Sequence, residues 1–106
     1  MKLRWIDIIK EITDIAIFES GDDFDELTLT IKFSMEDDWI ESLCEIVKDG
    51  KSDTPIIWDD ALDELKELTF ALHQAVKDHT GGDLKGYTIR IDETGKAKSN
   101  FQYHDP

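Results

Sequence analysis

The sequence predicts a single α+β domain in which two helices pack on a mostly antiparallel sheet of four to five strands, in the order α-β-β-(β)-α-β-β. Two stretches carry apolar residues at helical spacing, and several others alternate apolar with polar residues. The length of 106 residues suffices for one modest hydrophobic core. We therefore expect residues 1–106 to form one domain, with short links between strands that favour antiparallel pairing.

The first helix is predicted over residues 3–18, where apolar residues recur every three or four positions. Its apolar side consists of Trp5, Ile8, Ile9, Ile12, Ile15 and Ala16. The end of this helix is left open by the sequence, because Ile15-Ala16-Ile17-Phe18 is also rich in residues that favour strands. Gly21 is expected to interrupt the element in either case.

Two strands are predicted in the first half of the chain. Residues 27–34 alternate strictly between apolar and polar side chains, which is typical of a strand with one buried face. After a polar turn at residues 35–38, residues 39–47 carry apolar side chains at both parities, which indicates a strand inside the sheet. Asp49-Gly50 is a turn dipeptide, and Pro55-Ile56-Ile57-Trp58 is a candidate third strand.

The second helix is predicted from Asp59, where leucines recur at helical spacing. Asp59 or Asp60 is a suitable N-cap, and Gly81-Gly82 supplies the end. Two alternating segments then predict a terminal hairpin around a turn at residues 93–95. We expect the sheet to bury a set of apolar residues against this second helix, namely Leu27, Leu29, Ile31, Ile89, Ile91 and Phe101.

Charge and cysteine content narrow the functional classes. The chain has 25 Asp and Glu against 12 Lys and Arg, for a net charge of −13, so a phosphate-binding surface would form against a repulsive field. We therefore expect no direct binding of nucleic acid. Apolar runs are far too short to cross a membrane, and a single cysteine, Cys44, together with an N-terminus unlike a signal peptide, fits a cytoplasmic protein.

The acidic residues are concentrated in residues 11–67, which carry a net charge of −15. One cluster precedes the first predicted strand and the other follows it, so we expect them at opposite ends of that strand, about 25 Å apart. They are solvated loops that confer solubility, or an acidic docking surface for a cationic partner. The two clusters comprise Asp22, Asp23 and Asp25, and Glu36, Asp37 and Asp38.

No residue pattern predicts a catalytic, metal or cofactor site. The glycine at position 21 precedes the acidic run, whereas a calcium loop of the EF-hand type needs a glycine inside it. His73, His79 and His104 lack metal-ligand spacing, and Cys44 has no second cysteine nearby. We therefore expect an inert, partly buried thiol, and a protein without enzymatic activity or bound metal.

Three tryptophans remain as candidate contacts. Trp5 fits the apolar side of the first helix, whereas Trp39 and Trp58 are each flanked by carboxylates. An aromatic ring beside acidic groups is suited to anchor a basic protein partner. Core packing is the alternative interpretation for each of them.

Several segments together resemble a known family. They are Trp39-Ile40-Glu41-Ser42, Lys48-Asp49-Gly50-Lys51, the leucine helix at 59–79, Thr88-Ile89-Arg90-Ile91-Asp92, Gly95-Lys96 and Asn100-Phe101-Gln102-Tyr103. In this order they resemble the YezG-like immunity proteins of bacterial polymorphic toxin systems. The chain departs from that pattern at Tyr87, where a tryptophan is usual, and at Ala97, where an aromatic residue is common. The resemblance implies a small acidic α+β protein that binds and blocks a toxin, often a nuclease.

The leading hypothesis is therefore an immunity protein that occludes a cognate, basic toxin. An acidic adaptor module with a non-toxin partner is the alternative, and a small enzyme with dispersed carboxylates is the least favoured. The sequence does not distinguish a monomer from a homodimer. The predicted partner contacts are the two acidic clusters, with Trp39 and Trp58 as anchors: Asp22, Asp23, Asp25, Glu36, Asp37, Asp38, Trp39 and Trp58.

Overall fold

The described chain contains two helices and five strands, in the order α-β-β-β-α-β-β. A computed structural model describes residues 4–21, 23–54 and 59–104, without the side chains of residues 59 and 60. The elements are α1 (Trp5–Ser20), β1 (Glu26–Ser34), β2 (Trp39–Lys48), β3 (Lys51–Asp53), α2 (Asp59–Thr80), β4 (Leu84–Asp92) and β5 (Ala97–Tyr103). The predicted α+β class is confirmed.

Helix α1 continues to Ser20, so the segment from Ile15 to Phe18 is helical. The periodic burial of Ile8, Ile12 and Ala16 against the core fixes this helix, and the strand interpretation of its end was wrong. Gly21 follows with φ +79°, a backbone conformation that glycine adopts at little cost and other residues rarely adopt. The glycine therefore ends the helix, as expected.

The five strands form one antiparallel sheet in the order β3-β2-β1-β4-β5. Strand β1 is central and pairs along its length with β2 on one side and β4 on the other. Strand β3 is shorter and earlier than the expected third strand, and the expected segment, residues 55–58, lies outside the described residues. Strand β3 pairs with only the last three residues of β2, across a turn at Asp49 and Gly50.

Both helices lie on one face of the sheet, and the core fills the space between them. Alternate residues of the central strands, including Leu29, Ile31 and Ile89, are fully buried there. The prediction that β2 lies inside the sheet is confirmed, because β3 and β1 flank it, although only one parity of this strand faces the core. Side chains of the other parity stay exposed since no described helix covers that face.

Phe101 differs from the expected fully buried position against α2. It is partly buried, and its ring packs edge-on against Trp5 of α1, with 5.6 Å between the ring centroids. The reason is the position of β5 at the edge of the sheet, where the core is covered from one side only. The prediction that Trp5 belongs to the apolar side of the first helix agrees with this contact.

A buried hydrogen bond ties α2 to β4. The hydroxyl oxygens of Thr69 and Tyr87 are 2.7 Å apart, and both residues are completely buried. Burial raises the pKa of the Tyr87 phenol, and this effect outweighs the hydrogen bond to Thr69, which lowers it. The phenol is therefore a neutral partner of the threonine hydroxyl.

Candidate protein-binding surface

The sheet has a second face, which the described helices do not cover and which we call the open face. It is built from the side chains that alternate with the buried ones on β1, β2 and β4, and from the β5 residues that pair with those of β4. On β2 this parity carries Trp39, Glu41, Leu43 and Glu45, all exposed. Apolar and acidic side chains thus alternate along one strand of the open face.

Trp39 and Leu43 are the large apolar groups of this strand. Their exposed fractions are 44% and 53%, and they lie four residues apart on the same face. Thr30 is the β1 residue opposite Leu43, and Ser34 is opposite Trp39. The two apolar groups therefore border the hydroxyl-bearing residues of the central strand, with Lys32 between Thr30 and Ser34 on the same face.

Carboxylates flank these apolar groups. No other described residue makes an ion pair or a side-chain hydrogen bond with Glu36, Glu41 or Glu45. Glu36 belongs to the turn just before Trp39, and Glu41 is opposite Lys32 in the register of β1 and β2. The result is an acidic, partly apolar surface at the Trp39 end of the sheet.

The turn between β1 and β2 holds the second predicted acidic cluster. The Ser34 hydroxyl oxygen accepts a hydrogen bond from the backbone N–H of Asp37, at 3.1 Å, which shapes the turn. Asp38 has a positive φ of +54° and pairs with Lys66 of α2 at 2.7 Å. Of the three predicted acids here, Asp38 is therefore the one that is compensated within the fold.

The first predicted acidic cluster lies at the other end of β1, as the sequence led us to expect. Asp23 forms an ion pair with Lys48, and the hydrogen bond between them raises the pKa of that lysine. Asp25 accepts a hydrogen bond from the backbone N–H of Asp49 at 2.9 Å, and its own N–H donates to the carbonyl of Val47 at 2.8 Å. Both acids thus hold the start of β1 against the end of β2.

Two predicted contacts lie outside the described residues, Asp22 and Trp58. The described members of the predicted set do not come together as one surface. Glu36, Asp37 and Trp39 share one end of the sheet, and Asp23 and Asp25 are at the opposite end. Leu43, Glu41 and Glu45 were missed because the apolar residues at both parities of β2 concealed which parity is exposed.

Cys44 and His73 are two residues with reactive side chains whose surroundings the structure describes. Among the described residues, no three His, Cys, Asp or Glu side chains are close enough to hold a metal ion. Cys44 is buried, and this burial raises the pKa of its thiol. His73 Nε2 is 3.1 Å from Asp83 Oδ1, and this hydrogen bond lowers the pKa of the Asp83 carboxyl.

The His73 ring also packs edge-on against Phe33, with 5.8 Å between the ring centroids. Its position joins α2 to the segment that precedes β4, which is a structural role.

No described helix is both long and apolar enough to span a lipid bilayer. The open face is the candidate functional site among the described residues, because it presents the exposed apolar side chains of Trp39 and Leu43 beside carboxylates.

In comparisons with known proteins, no protein-family model and no curated protein matches this chain.

Proposed function

We propose that this chain is an immunity protein, which binds a bacterial toxin and blocks it without performing chemistry. The observation that carries the proposal is the exposure of Trp39 and Leu43 on the open face, beside Glu36, Glu41 and Glu45, with which no described residue makes an ion pair. Exposed aromatic and aliphatic groups that a charged rim surrounds are typical of protein interfaces. The resemblance to YezG-like immunity proteins supports the same assignment.

The charge of the chain favours a basic toxin. A nuclease must carry positive charge where it holds phosphate, so an acidic protein can occupy that groove and exclude the substrate. The net charge of −13 also accelerates encounter with a basic partner by electrostatic steering. The same charge that opposes binding to nucleic acid therefore favours binding to a protein that holds nucleic acid.

The site of action in this proposal is the cytoplasm, where a nuclease toxin meets its substrate. Binding through the open face needs no cofactor and no metal, because apolar contact and charge complementarity supply the free energy. The Trp39 end of the open face is the proposed centre of the interface. Glu36 and Asp37 are the proposed steering groups, and Asp23 and Asp25 have a structural role.

The proposal is tested with the product of the reading frame immediately upstream of this gene, because immunity genes usually follow their toxin genes. We expect expression of that product to arrest growth and co-expression of this chain to restore it. Trp39→Ala should weaken the complex by about 30-fold, as expected for an aromatic hot spot. Phe18→Ala is the matched control, since Phe18 is 84% exposed but belongs to α1, and it should leave the affinity unchanged.

Three outcomes would contradict the proposal. If the upstream product is harmless and does not bind, the immunity function is wrong. If it binds but this chain leaves its activity intact, the acidic adaptor is the better assignment. Equal loss of affinity in Trp39→Ala and Phe18→Ala would contradict the open face as the interface.

A further inference from the structure

The open face carries a second charged feature, at the side opposite to Trp39. Arg90 of β4 and Lys98 of β5 are direct cross-strand partners, and both side chains are exposed on the open face. Like charges directly opposite one another destabilise a sheet. Such a pair is unexpected in a protein with a net charge of −13.

No described residue forms an ion pair with Arg90 or Lys98. Glu45 lies in the same cross-strand row, but Thr28 of β1 separates it from Arg90, which corresponds to about 10 Å across two strand spacings. The next row holds Glu26 and Asp92. Asp92 Oδ1 already accepts hydrogen bonds from the turn that follows β4.

The open face is thus divided by charge. Its β2 side presents Glu41 and Glu45, with Lys32 of β1 opposite Glu41, and its β4–β5 side presents the cationic pair. A partner with a uniformly basic surface would be attracted by the first side and repelled by the second. Interfaces use such arrangements to fix orientation and to reject wrong partners.

We infer that the protein bound at this face presents a carboxylate-bearing segment to Arg90 and Lys98, while a basic segment faces Trp39, Glu41 and Glu45. This inference rests on the proposed function, because the partner is the proposed toxin. Two neighbouring cations can hold one carboxylate by charge-assisted hydrogen bonds. The docked toxin therefore has one orientation, with its acidic segment over β4 and β5.

The first experiment asks whether removal of the two cations tightens or weakens the complex with the toxin. The double variant Arg90→Gln/Lys98→Gln makes the chain more acidic, so attraction of a uniformly basic toxin would tighten the complex. Our inference gives the opposite result, a complex that dissociates about tenfold faster. The control is Lys10→Gln/Lys77→Gln, which removes the same charge from exposed positions on α1 and α2 and should not speed dissociation. A tighter complex in the open-face variant overturns the inference and leaves the proposed function standing.

The second experiment does not depend on the toxin. Glutarate, whose carboxylates resemble the side chain of glutamate, is titrated into the protein and followed by amide NMR, with sodium chloride at matched ionic strength as a reference. We expect saturable shifts at residues 88–90 and 98–100, absent in the open-face double variant and retained in the control. Absence of saturable shifts there overturns the inference. If they occur and the upstream product does not bind, the anion site stands and the proposed function is wrong.

Discussion

Replacement of Tyr87 by phenylalanine tests the packing of α2 on β4. The oxygens of the phenol and of the Thr69 hydroxyl are 2.7 Å apart, and both residues are inaccessible to solvent. Tyr87→Phe removes one hydrogen bond and leaves a buried hydroxyl without a partner. The free energy of unfolding should fall by about 2 kcal/mol, within the usual range of about 1–3 kcal/mol for a stranded buried group.

Urea unfolding of four proteins measures this effect: the parent, Tyr87→Phe, Thr69→Val and the double variant. Each single variant should shift the midpoint without changing the slope of unfolding free energy against urea concentration. The double variant should be more stable than the sum of the single changes indicates, because it leaves neither hydroxyl stranded. Tyr103→Phe is the control, since Tyr103 is an exposed tyrosine and should change stability by less than about 0.5 kcal/mol.

The pH dependence of the same variants supplies a second measurement. The pKa of Tyr87 is raised above its ordinary value of 10.0 by burial. The unfolded chain therefore loses this proton at lower pH than the folded chain. The contribution of Tyr87 to the free energy of unfolding is thus fully present below pH 10.0 and is lost as the pH rises further. Tyr87→Phe should remove that part of the alkaline loss. Strictly additive effects of the two single variants, with the alkaline loss of the parent retained in Tyr87→Phe, would refute the buried pair.

Three further predictions concern the sheet. Gly86→Ala should destabilise by about 1–3 kcal/mol in urea unfolding, because a Cβ there would lie 2.6 Å from the carbonyl oxygen of Ile31; unchanged stability would contradict the register of β1 and β4. Phe101→Ala should cost about 2 kcal/mol, below the usual 3–5 kcal/mol for a buried phenylalanine, because the ring is only partly buried against Trp5; a cost of about 4 kcal/mol or more would indicate full burial. Hydrogen bonds from the following turn lower the pKa of Asp92 from 3.8, so the ionised carboxylate stabilises the folded chain above that pH and this contribution is lost as the pH falls further. The stability difference between Asp92→Asn and the parent should therefore shrink below pH 3.8. A difference that stays constant would contradict this.

Segments in which apolar residues recur at one regular spacing, either helical or alternating, were sufficient to predict most of the fold. The alternation from Leu27 to Phe33 placed β1 correctly, because one side of the strand is buried and the other is not. The segment at Ile15–Phe18 was ambiguous, since β-branched and aromatic residues favour strands. Packing of the preceding helical turns against the core decided it, which is a tertiary effect that local preference does not include.

The candidate surface was harder to predict than the fold. Trp39 was identified from its acidic neighbours, but Leu43 was not singled out because apolar residues occur at both parities of β2. Which parity is exposed depends on where the helices pack, and this is not a property of the strand alone. The acids Asp23 and Asp25 looked equivalent to Glu36 in sequence, yet contacts with residues 47–49 engage them. Those contacts join positions far apart in the chain.

The central claim is that the Trp39 end of the open face binds a basic toxin by electrostatic steering followed by apolar contact. Stopped-flow kinetics with the upstream gene product, at low and high salt, tests it most directly. The double variant Glu36→Gln/Asp37→Asn should slow association severalfold at low salt and flatten its salt dependence. The matched variant Glu11→Gln/Asp14→Asn removes the same charge from exposed positions on α1 and should have a smaller effect. Trp39→Ala should mainly speed dissociation. Association rates that respond neither to salt nor to the removal of Glu36 and Asp37 would contradict the account.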